Sequence, residues 1–343
     1  MVKNLDYRYK RQELFDITKK DLIPFIFEDK ERLVYSNVNL SIFLTDYCNA
    51  GCKFCVAKLR YLVDKSEYLK PSIEEDNFYY ERLEYVLKTV SPLNPSISLT
   101  GGEPTHSHRI KKVIELLDKY NIRKRTITTN GTFLFKEIEG HTVLDLLINN
   151  NFKHLNISRA HYDEDLNFAI MNCDEKLDLQ RIMNRVKNTD LRVRLSCVLM
   201  GSGISTIPEM KNYMSFAEKY NIDNVVFREL MNYDESNMDL KNIVHNYCKS
   251  NRIYLQDIWE QVDKDSDFKF ENQVLGYYYY VEVYKYKNID MVSESANIAN
   301  IKKEKDNSIL KTNGIPVVYE MVFHPNGFLN GSWREWEDYL LTY

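Results

Sequence analysis

Three cysteines lie close together near the start of the chain, in the segment TDYCNAGCKFC. Cys48, Cys52 and Cys55 are separated by three and then by two residues. This spacing lets one tight loop direct three thiolates towards a common point, as iron–sulfur ligation requires. Three protein ligands on a cubane of four irons leave one iron without a protein ligand. The segment therefore predicts an iron–sulfur site that keeps one iron open to a small ligand.

Zinc is the main alternative, because sites built from three cysteines and a histidine are common. Zinc ligands usually come as two separated pairs, and the sequence contains no second CxxC and no HxxxH motif. A chance grouping of buried cysteines is the remaining alternative. Six cysteines in a chain of 343 residues do not make a disulfide scaffold, and a reducing cytosol would keep them as thiols.

The elements that must position these thiols follow from an alternation that begins near residue 36, where short apolar runs are followed by longer amphipathic ones. Strict alternation of strand and helix implies parallel strands with right-handed crossovers. Six units are too few for a closed eight-stranded barrel, so the predicted fold class is α/β, with a partial (β/α)6 barrel. Strands are predicted at Asn37–Leu44, Ser96–Thr100, Arg125–Thr129, His154–Ser158, Leu191–Leu199 and Asn224–Leu230, and helices at Asn77–Val90, Ile110–Tyr120, Thr142–Asn150, Leu177–Val186 and Glu209–Tyr220.

The alternation stops after Leu230, which suggests a different kind of structure in the last third of the chain. Two helices are predicted there, followed by two strands and a turn at Pro325–Gly327. Three regions result: an N-terminal extension over 1–35, the barrel over 36–230, and an α+β region over 231–343 that caps the barrel and contributes to substrate binding. The two helices are predicted at Asp239–Lys249 and Tyr254–Val262, and the two strands at Gly276–Tyr286 and Pro316–Phe323.

Two further motifs lie at strand ends. The segment TGGEPT, Thr100–Thr105, follows the second predicted strand, and ITTNGT, Ile127–Thr132, follows the third. Phe54 stands directly before the last cysteine of the first motif. Taken in this order, the three motifs resemble the signature of the radical S-adenosylmethionine (SAM) superfamily, over roughly residues 36–230.

This resemblance implies two cofactors and a class of reaction. One [4Fe–4S] cluster would be bound by Cys48, Cys52 and Cys55, and its open iron would chelate the amino and carboxylate groups of SAM. Reductive cleavage of SAM would give a 5′-deoxyadenosyl radical that takes a hydrogen atom from a substrate. An external electron donor such as flavodoxin or ferredoxin is also implied. The cofactor carries the chemistry in such enzymes, while the protein supplies position and excludes water.

The resemblance also assigns candidate contacts to SAM. Gly101 and Gly102 would let the backbone approach the ligand closely, and Glu103 resembles the acceptor for the SAM ammonium. Phe54 resembles the residue that packs beside the adenine. Polar residues at the ends of the third, fourth and fifth strands are candidates for the ribose or carboxylate, with an ordinary turn or surface role as the alternative for each; these are Thr129, Asn130, Ser158, Arg159 and Ser196.

Four residues are candidates on the substrate side. His161 and Tyr162 follow the fourth strand, where a solvated loop is the alternative. Arg228 and Glu229 end the sixth strand, where they would form either a buried ion pair or a polar anchor for substrate.

Cys173, Cys197 and Cys248 are widely spaced, so no auxiliary cluster is predicted. Cys197 shares a strand face with Leu195 and Leu199, which predicts packing towards the helices rather than a hydrogen-donor role.

Charge and hydropathy limit the partners. The net charge is −4 and the basic residues are spread along the chain, so no positive field is expected to recruit nucleic acid. No stretch approaches the roughly 20 apolar residues that cross a bilayer. The first ten residues are charged and no apolar run follows them, which argues against a signal peptide and favours a cytoplasmic protein without a membrane partner.

The leading functional hypothesis is a radical SAM enzyme with a single cluster that acts on a small polar molecule, such as a nucleotide, a sugar or an amino-acid derivative. Modification of a peptide or protein side chain is the first alternative. A non-catalytic zinc-binding module is the alternative from a different class.

Overall fold

A single, mainly parallel β-sheet frames the part of the chain that the computed structural model describes. The chain enters it through an antiparallel pair, β1 (Leu22–Phe27) and β2 (Lys30–Phe43). The described residues are 22–59, 76–120, 122, 124–231, 238–275, 280–294, 309–310 and 312–342.

After β2, helices and strands alternate as the sequence predicts. The helices are α1 (Asp76–Val90), α2 (Ile110–Lys119), α3 (Val143–Asn149), α4 (Glu164–Met171), α5 (Leu179–Val186) and α6 (Ile207–Lys219). The strands are β3 (Ser96–Thr100), β4 (Lys124–Thr129), the small hairpin β5 (Glu137–Ile138) and β6 (His141–Thr142), β7 (Phe152–Ser158), β8 (Arg192–Leu199) and β9 (Asn224–Glu229).

The remaining elements add to both edges of the same sheet. They are the helices α7 (Ile243–Asn251) and α8 (Leu255–Val262) and the strands β10 (Phe268–Leu275), β11 (Tyr280–Tyr286), β12 (Ile289–Glu294), β13 (Val317–Phe323), β14 (Leu329–Asn330) and β15 (Tyr339–Leu341).

The six predicted units are confirmed as neighbours: β2, β3, β4, β7, β8 and β9 lie side by side and are all parallel. One more parallel strand flanks this set on each side, since β12 pairs with β9 and β13 pairs with β2. The strand order runs from β10 to β15 and those two ends do not pair, so the described sheet is open. The α/β class and the partial barrel are therefore confirmed.

The core lies between one face of this sheet and the helices. Along β8, Val193, Leu195, Cys197 and Leu199 are buried, whereas Arg194, Ser196 and Val198 are partly exposed on the other face. Alternate residues of a strand point to opposite faces, so the helix-facing residues form an apolar layer. Parallel strands are usually apolar on both faces, and the polar residues on the second face of this sheet are therefore informative about function.

Several elements differ from the sequence predictions. No helix was predicted between the fourth strand and Leu177, but Glu164–Met171 forms α4, because the Asp163 carboxylate accepts hydrogen bonds from the backbone N–H of Asp165 and of Leu166, both at 3.0 Å. The strand predicted at Asn37–Leu44 begins at Lys30, and the strands β1, β10 and β12 were not predicted. The first residues of the strand predicted at Gly276–Tyr286 lie outside the described residues.

The division of the chain at residues 35 and 230 stays a proposal. β2 runs through the first boundary, and the strands after residue 230 join the same sheet. Within the described ranges, no helix is both long enough and apolar enough to cross a membrane.

The apolar layer gives a direct stability prediction. Ile97→Ala removes most of a side chain that is 0% exposed and leaves a cavity in the core. It should therefore lower the free energy of unfolding by about 2–5 kcal/mol. The matched control is Ile243→Ala, since Ile243 is 83% exposed and its truncation should change stability by less than about 0.5 kcal/mol. Urea titration followed by circular dichroism measures both; equal midpoints for the two variants would contradict the packing described.

Candidate active site

The cysteine loop follows β2 at the carboxyl edge of the sheet, and the end of β3 holds its first residues. The backbone N–H of Gly102 donates to Thr45 O at 2.7 Å, and that of Glu103 donates to Tyr47 O at 2.7 Å. The first turn of the cysteine loop is thus bound to the Gly-Gly-Glu segment by two main-chain hydrogen bonds.

Glycine is required at both positions of that contact. A Cβ on Gly102 would lie 2.1 Å from the carbonyl oxygen of Tyr47, and Gly101 has a φ of +140°. Only glycine adopts that backbone conformation readily and allows the two chains to approach this closely. The close approach seen here is to the cysteine loop, and the predicted close approach of these glycines to SAM stays a prediction.

Glu103 is a charged side chain that is only 1% exposed. Its Oε1 accepts hydrogen bonds from the backbone N–H and the hydroxyl of Thr105 and from the hydroxyl of Thr129, and its Oε2 accepts one from the backbone N–H of Asn130 at 2.7 Å. Burial raises the pKa of this carboxyl, and the hydrogen bonds from Thr105 and Thr129 oppose that rise. A carboxylate has about four acceptor sites, so Oε2 keeps capacity for another donor.

Asn130 ties the end of β4 to the cysteine loop. Its Nδ2 donates to Asn49 Oδ1 at 2.8 Å, and its Oδ1 accepts from the hydroxyl of Thr132 at 2.8 Å. Asn49 Nδ2 donates in turn to that hydroxyl at 3.1 Å. All three motifs found in the sequence are therefore joined in one hydrogen-bond network.

The three cysteines of the loop are half-buried, and none of the six cysteines of the chain forms a disulfide. Burial is the main cause that raises the pKa of Cys52 to about 12, and the neighbouring thiols Cys55, Cys173 and Cys48 add to it. Burial likewise raises the pKa of Cys48. These thiols are therefore protonated at neutral pH, and metal binding must release their protons.

The donor set suits an iron–sulfur cluster better than a single metal ion. Within the described ranges, no three side chains of His, Cys, Asp or Glu are arranged to hold one ion. In a cubane each thiolate binds a different iron, so the sulfurs need to be neighbours without converging on one atom. Mutual charge effects among Cys48, Cys52 and Cys55 place the three thiols in one neighbourhood.

The polar face of the sheet lies next to this loop; it comprises the residues on the face away from the helices. Ser158 and Ser196 are cross-strand neighbours on it, as the sequence predicts for strand ends. Phe54 and Val198, which lies on the polar face of β8, pack against the same buried clusters. Further members are linked across strands by side-chain hydrogen bonds, from Thr126 to Ser98, from Asn156 to Thr128 and from Arg194 to Asn224.

Arg159 lies apart from the two serines. Its guanidinium is 1% exposed, covers the ring of Phe216 at 4.4 Å and pairs with Glu164 at 2.8 Å. Because Phe216 belongs to α6, the side chain occupies the layer between sheet and helices. The backbone N–H of Arg159 donates to Ser196 O at 2.9 Å, but the Arg159 side chain lies on the opposite side of the sheet from the side chains of Ser158 and Ser196.

His161 and Tyr162 lie directly before Asp163, the N-cap of α4. The Nδ1 of His161 accepts the backbone N–H of Asp163 at 2.9 Å, and burial lowers the pKa of its imidazole. The ring of Tyr162 packs on that imidazole at 4.3 Å, and its hydroxyl accepts a hydrogen bond from Asn212 in α6. These contacts hold the two side chains against each other and against α6, and their role on the substrate side stays a prediction.

Arg228 and Glu229 do not pair with each other. Arg228 Nε lies 3.3 Å from a carboxylate oxygen of Glu294 on β12, and Glu229 accepts the backbone N–H of Leu255 at the start of α8. Arg228 therefore lies beside the polar face, whereas Glu229 caps a helix.

Sequence reasoning missed residues that complete the network. Asn49, Thr105 and Thr132 lie inside the three motifs, so their polar character next to motif residues was the available signal. Lys58 was also missed, although it lies three residues after the last cysteine; its Nζ donates to Ala50 O at 3.2 Å. No local pattern pointed to Cys173, which is 118 residues from Cys55 in sequence.

Comparison with known proteins gives a family match that covers these motifs. The model of the family described as "Radical SAM superfamily" matches residues 42–213. That is half of the chain, and it extends from the end of β2 into α6.

Individual relatives match over 47% to 66% of this chain. GTP 3′,8-cyclase of Aquifex aeolicus is 26% identical over 166 residues, which is 47% of each chain. Molybdenum cofactor biosynthesis protein 1 of Dictyostelium discoideum is 26% identical over 231 residues, 66% of this chain and 33% of that protein. A crystal structure of Streptococcus suis SuiB bound to S-adenosylmethionine has a TM-score of 0.42 at 20% identity, covering 57% of this chain and 40% of that one. The chain thus spans less than half the length of these proteins.

The close approach at Gly102 is open to a direct test. Gly102→Ala should lower the free energy of unfolding by about 2 kcal/mol or more, because the new methyl group meets backbone that has no room to shift. It should also reduce the iron bound after anaerobic reconstitution. Gly201→Ala is the control, since its nearest neighbour would be 3.8 Å away. Thermal unfolding and an iron assay measure the two effects. Wild-type values for both in Gly102→Ala would show that the close approach at Gly102 is needed neither for stability nor for iron binding.

Proposed function

Because the chain belongs to the radical SAM superfamily, we propose that it binds its cluster through Cys48, Cys52 and Cys55 and acts on a small polar substrate held on the polar face of the sheet. The observation that carries this proposal is the junction of the three-thiol loop with Gly101–Glu103 and Asn130 at the carboxyl edge of the sheet. The enzyme's cofactors are those of its family, a [4Fe–4S] cluster and SAM. A non-catalytic zinc module is thereby set aside.

When bound, these cofactors supply a 5′-deoxyadenosyl radical that removes a hydrogen atom from the substrate. The contribution of the chain is to hold three thiolates in place and to leave the fourth iron open. Lys58 lies close enough for its positive charge to lower the pKa of Cys48 and of Cys52. It therefore favours the thiolate forms that iron binding needs.

Glu103 is well suited to receive the ammonium group of SAM. Four donors already hold the carboxylate in place, so its orientation is set before any ligand arrives. The acceptor capacity that remains on Oε2 would serve the ammonium, in a charge-assisted hydrogen bond inside a buried site. Thr129 and Asn130 act on this carboxylate and are positioning residues for it.

The polar face provides groups for a hydrophilic substrate. The Oδ1 of Asn156 is buried and accepts no hydrogen bond from the described residues. The Asn156 Nδ2 donates to the hydroxyl of Thr128 at 3.4 Å, so the amide belongs to the cross-strand polar groups of this face. Ser158 and Ser196, one step further along the same face, add donors at the edge nearest the cysteine loop.

Positive charge on the same face favours an anionic substrate. Burial lowers the pKa of Arg194, and the charge of Arg228 lowers it further, so the two guanidiniums lie near each other. Guanidinium groups suit phosphate and carboxylate. Since the relatives matched include proteins named GTP 3′,8-cyclase, a nucleotide is the substrate class we favour. An external reductant, such as flavodoxin or ferredoxin, would supply the electron.

The cluster assignment predicts the outcome of a single substitution. Cys52→Ala should abolish formation of 5′-deoxyadenosine from SAM and dithionite, because the cluster loses one of its three ligands. The measurement is chromatography of anaerobic reactions of reconstituted protein, alongside the iron content. Cys197→Ala is the matched control, since that thiol is fully buried on the helix side of β8. Undiminished 5′-deoxyadenosine from Cys52→Ala would contradict the proposed site.

The substrate class predicts where the abstracted hydrogen comes from. With ribonucleoside triphosphates deuterated on carbon, deuterium should appear in 5′-deoxyadenosine, whereas the matched nucleosides without phosphate should transfer far less. Arg194→Gln should raise the KM for the nucleotide by roughly tenfold or more, the cost of losing a hydrogen bond to a charged group. Mass spectrometry of the 5′-deoxyadenosine reads the transfer. Active SAM cleavage with no transfer from any nucleotide would exclude this substrate class.

A further inference from the structure

A fourth cysteine lies against the loop that carries the three cluster thiols. Cys173 follows α4 and forms an antiparallel bridge with Ala50, the residue midway between Cys48 and Cys52. The contact continues on both sides, because Gly51 N–H donates to Asn172 O at 2.8 Å and Lys53 N–H donates to Ile170 O at 3.3 Å. The segment 170–173 therefore runs alongside the cysteine loop.

The side chain of Cys173 shares its surroundings with a cluster thiol. Residues opposite each other in an antiparallel bridge point to the same face, so Cys173 and Ala50 face the same way. Cys173, Cys52 and Phe54 also pack against one buried group, formed by Ala160, Ile170, Met171 and Met200. In that group the Sγ of Cys52 lies 3.8 Å from the Sδ of Met171, two residues before Cys173.

Cys173 lies in a buried environment beside the cluster loop. The bridge to Ala50 and the buried group shared with Cys52 place it there. Burial is the main cause that raises the pKa of Cys173 to about 11, and the neighbouring Cys48 and Glu103 add to the rise.

We propose that Cys173 is a fourth thiolate ligand, which binds the open iron of the cluster while SAM is absent and is displaced when SAM binds. This inference rests on the proposed cluster site. No protein ligand beyond Cys48, Cys52 and Cys55 is implied by the CxxxCxxC motif, so the assignment comes from the position of Cys173 in this fold.

The exchange is a ligand substitution without electron transfer. Cys173 loses a proton to solvent when its sulfur binds iron, as every thiol ligand does. When SAM binds, the bond between iron and the Cys173 sulfur would break, and the SAM amino nitrogen and carboxylate would take its place. The SAM ammonium would give up one proton so that its nitrogen can bind, and the released Cys173 thiolate would take up one proton, so the exchange is balanced. Such a ligand would protect the fourth iron between turnovers, and SAM would displace it before catalysis begins.

The spectroscopic test uses the full chain, reconstituted anaerobically with iron-57 and sulfide and without SAM. Mössbauer spectra are compared for the wild type, Cys173→Ala, Cys173→Ser and the control Cys197→Ala. The wild type and the control should show only irons in sulfur coordination. Both Cys173 variants should show one distinct iron in each cluster, and the serine variant guards against a loss of packing in the alanine variant. Identical spectra for all four proteins would overturn the proposal.

A second measurement follows the competition with SAM. If the thiolate occupies the iron in about nine of ten molecules, its removal should tighten SAM binding about tenfold, since SAM no longer displaces a ligand. A spectroscopic titration of the wild type and Cys173→Ala gives both dissociation constants. Unchanged or weaker binding by Cys173→Ala would also overturn the proposal.

The outcomes separate this inference from the site on which it depends. A wild-type protein that binds no cluster, or a Cys52→Ala variant that keeps a full one, would overturn the three-thiol site and this inference with it. A cluster that requires Cys52 and is unaffected by both Cys173 variants would overturn only the role of Cys173.

Discussion

One buried carboxylate holds the active-site loops of this protein together. Glu103 follows β3, takes hydrogen bonds from Thr105 in its own loop and from Thr129 and Asn130 at the end of β4, and is bonded through its main chain to the cysteine loop. A charge buried this deeply would be expensive if any of its acceptor sites faced apolar surroundings. The polar groups around it are therefore needed for folding as well as for orientation, and the three motifs depend on one another through it.

The parallel sheet makes that junction possible. Parallel strands deliver their carboxyl ends to one edge, so the loops after β2, β3 and β4 become neighbours although they are far apart in sequence. The same sheet separates two environments. One face packs against helices as an apolar layer, while the other carries serine, threonine, asparagine and arginine side chains next to the cluster loop. Cofactor and substrate would then meet where the cysteine loop adjoins the polar face of the sheet.

Local pattern predicted much of this arrangement. The strand at Ser96–Thr100 and the helix over most of Ile110–Tyr120 have the predicted bounds within a residue, because their apolar residues recur at strand and helix spacing. Elements stabilised by distant partners escaped prediction. β12 is held by pairing in parallel with β9, and α4 depends on an aspartate cap that resembles any polar turn. For the candidate site, motif residues were found, whereas Cys173 was not, since it lies beside Ala50 only after α4 has packed.

The sequence alone specifies the candidate chemistry, because the motifs are defined by local spacing. They are three thiols at fixed spacing, a Gly-Gly-Glu segment and an Asn-Gly turn, and each follows a strand. Folding in three dimensions decided which of the other candidates meet them. Arg159 and Ser158 are adjacent in the chain, yet one lies under α6 and the other faces the polar surface, because successive side chains of a strand point to opposite faces. Contacts between residues more than a hundred positions apart, such as Ala50 with Cys173, are set by how the crossovers pack, and no short segment encodes that packing.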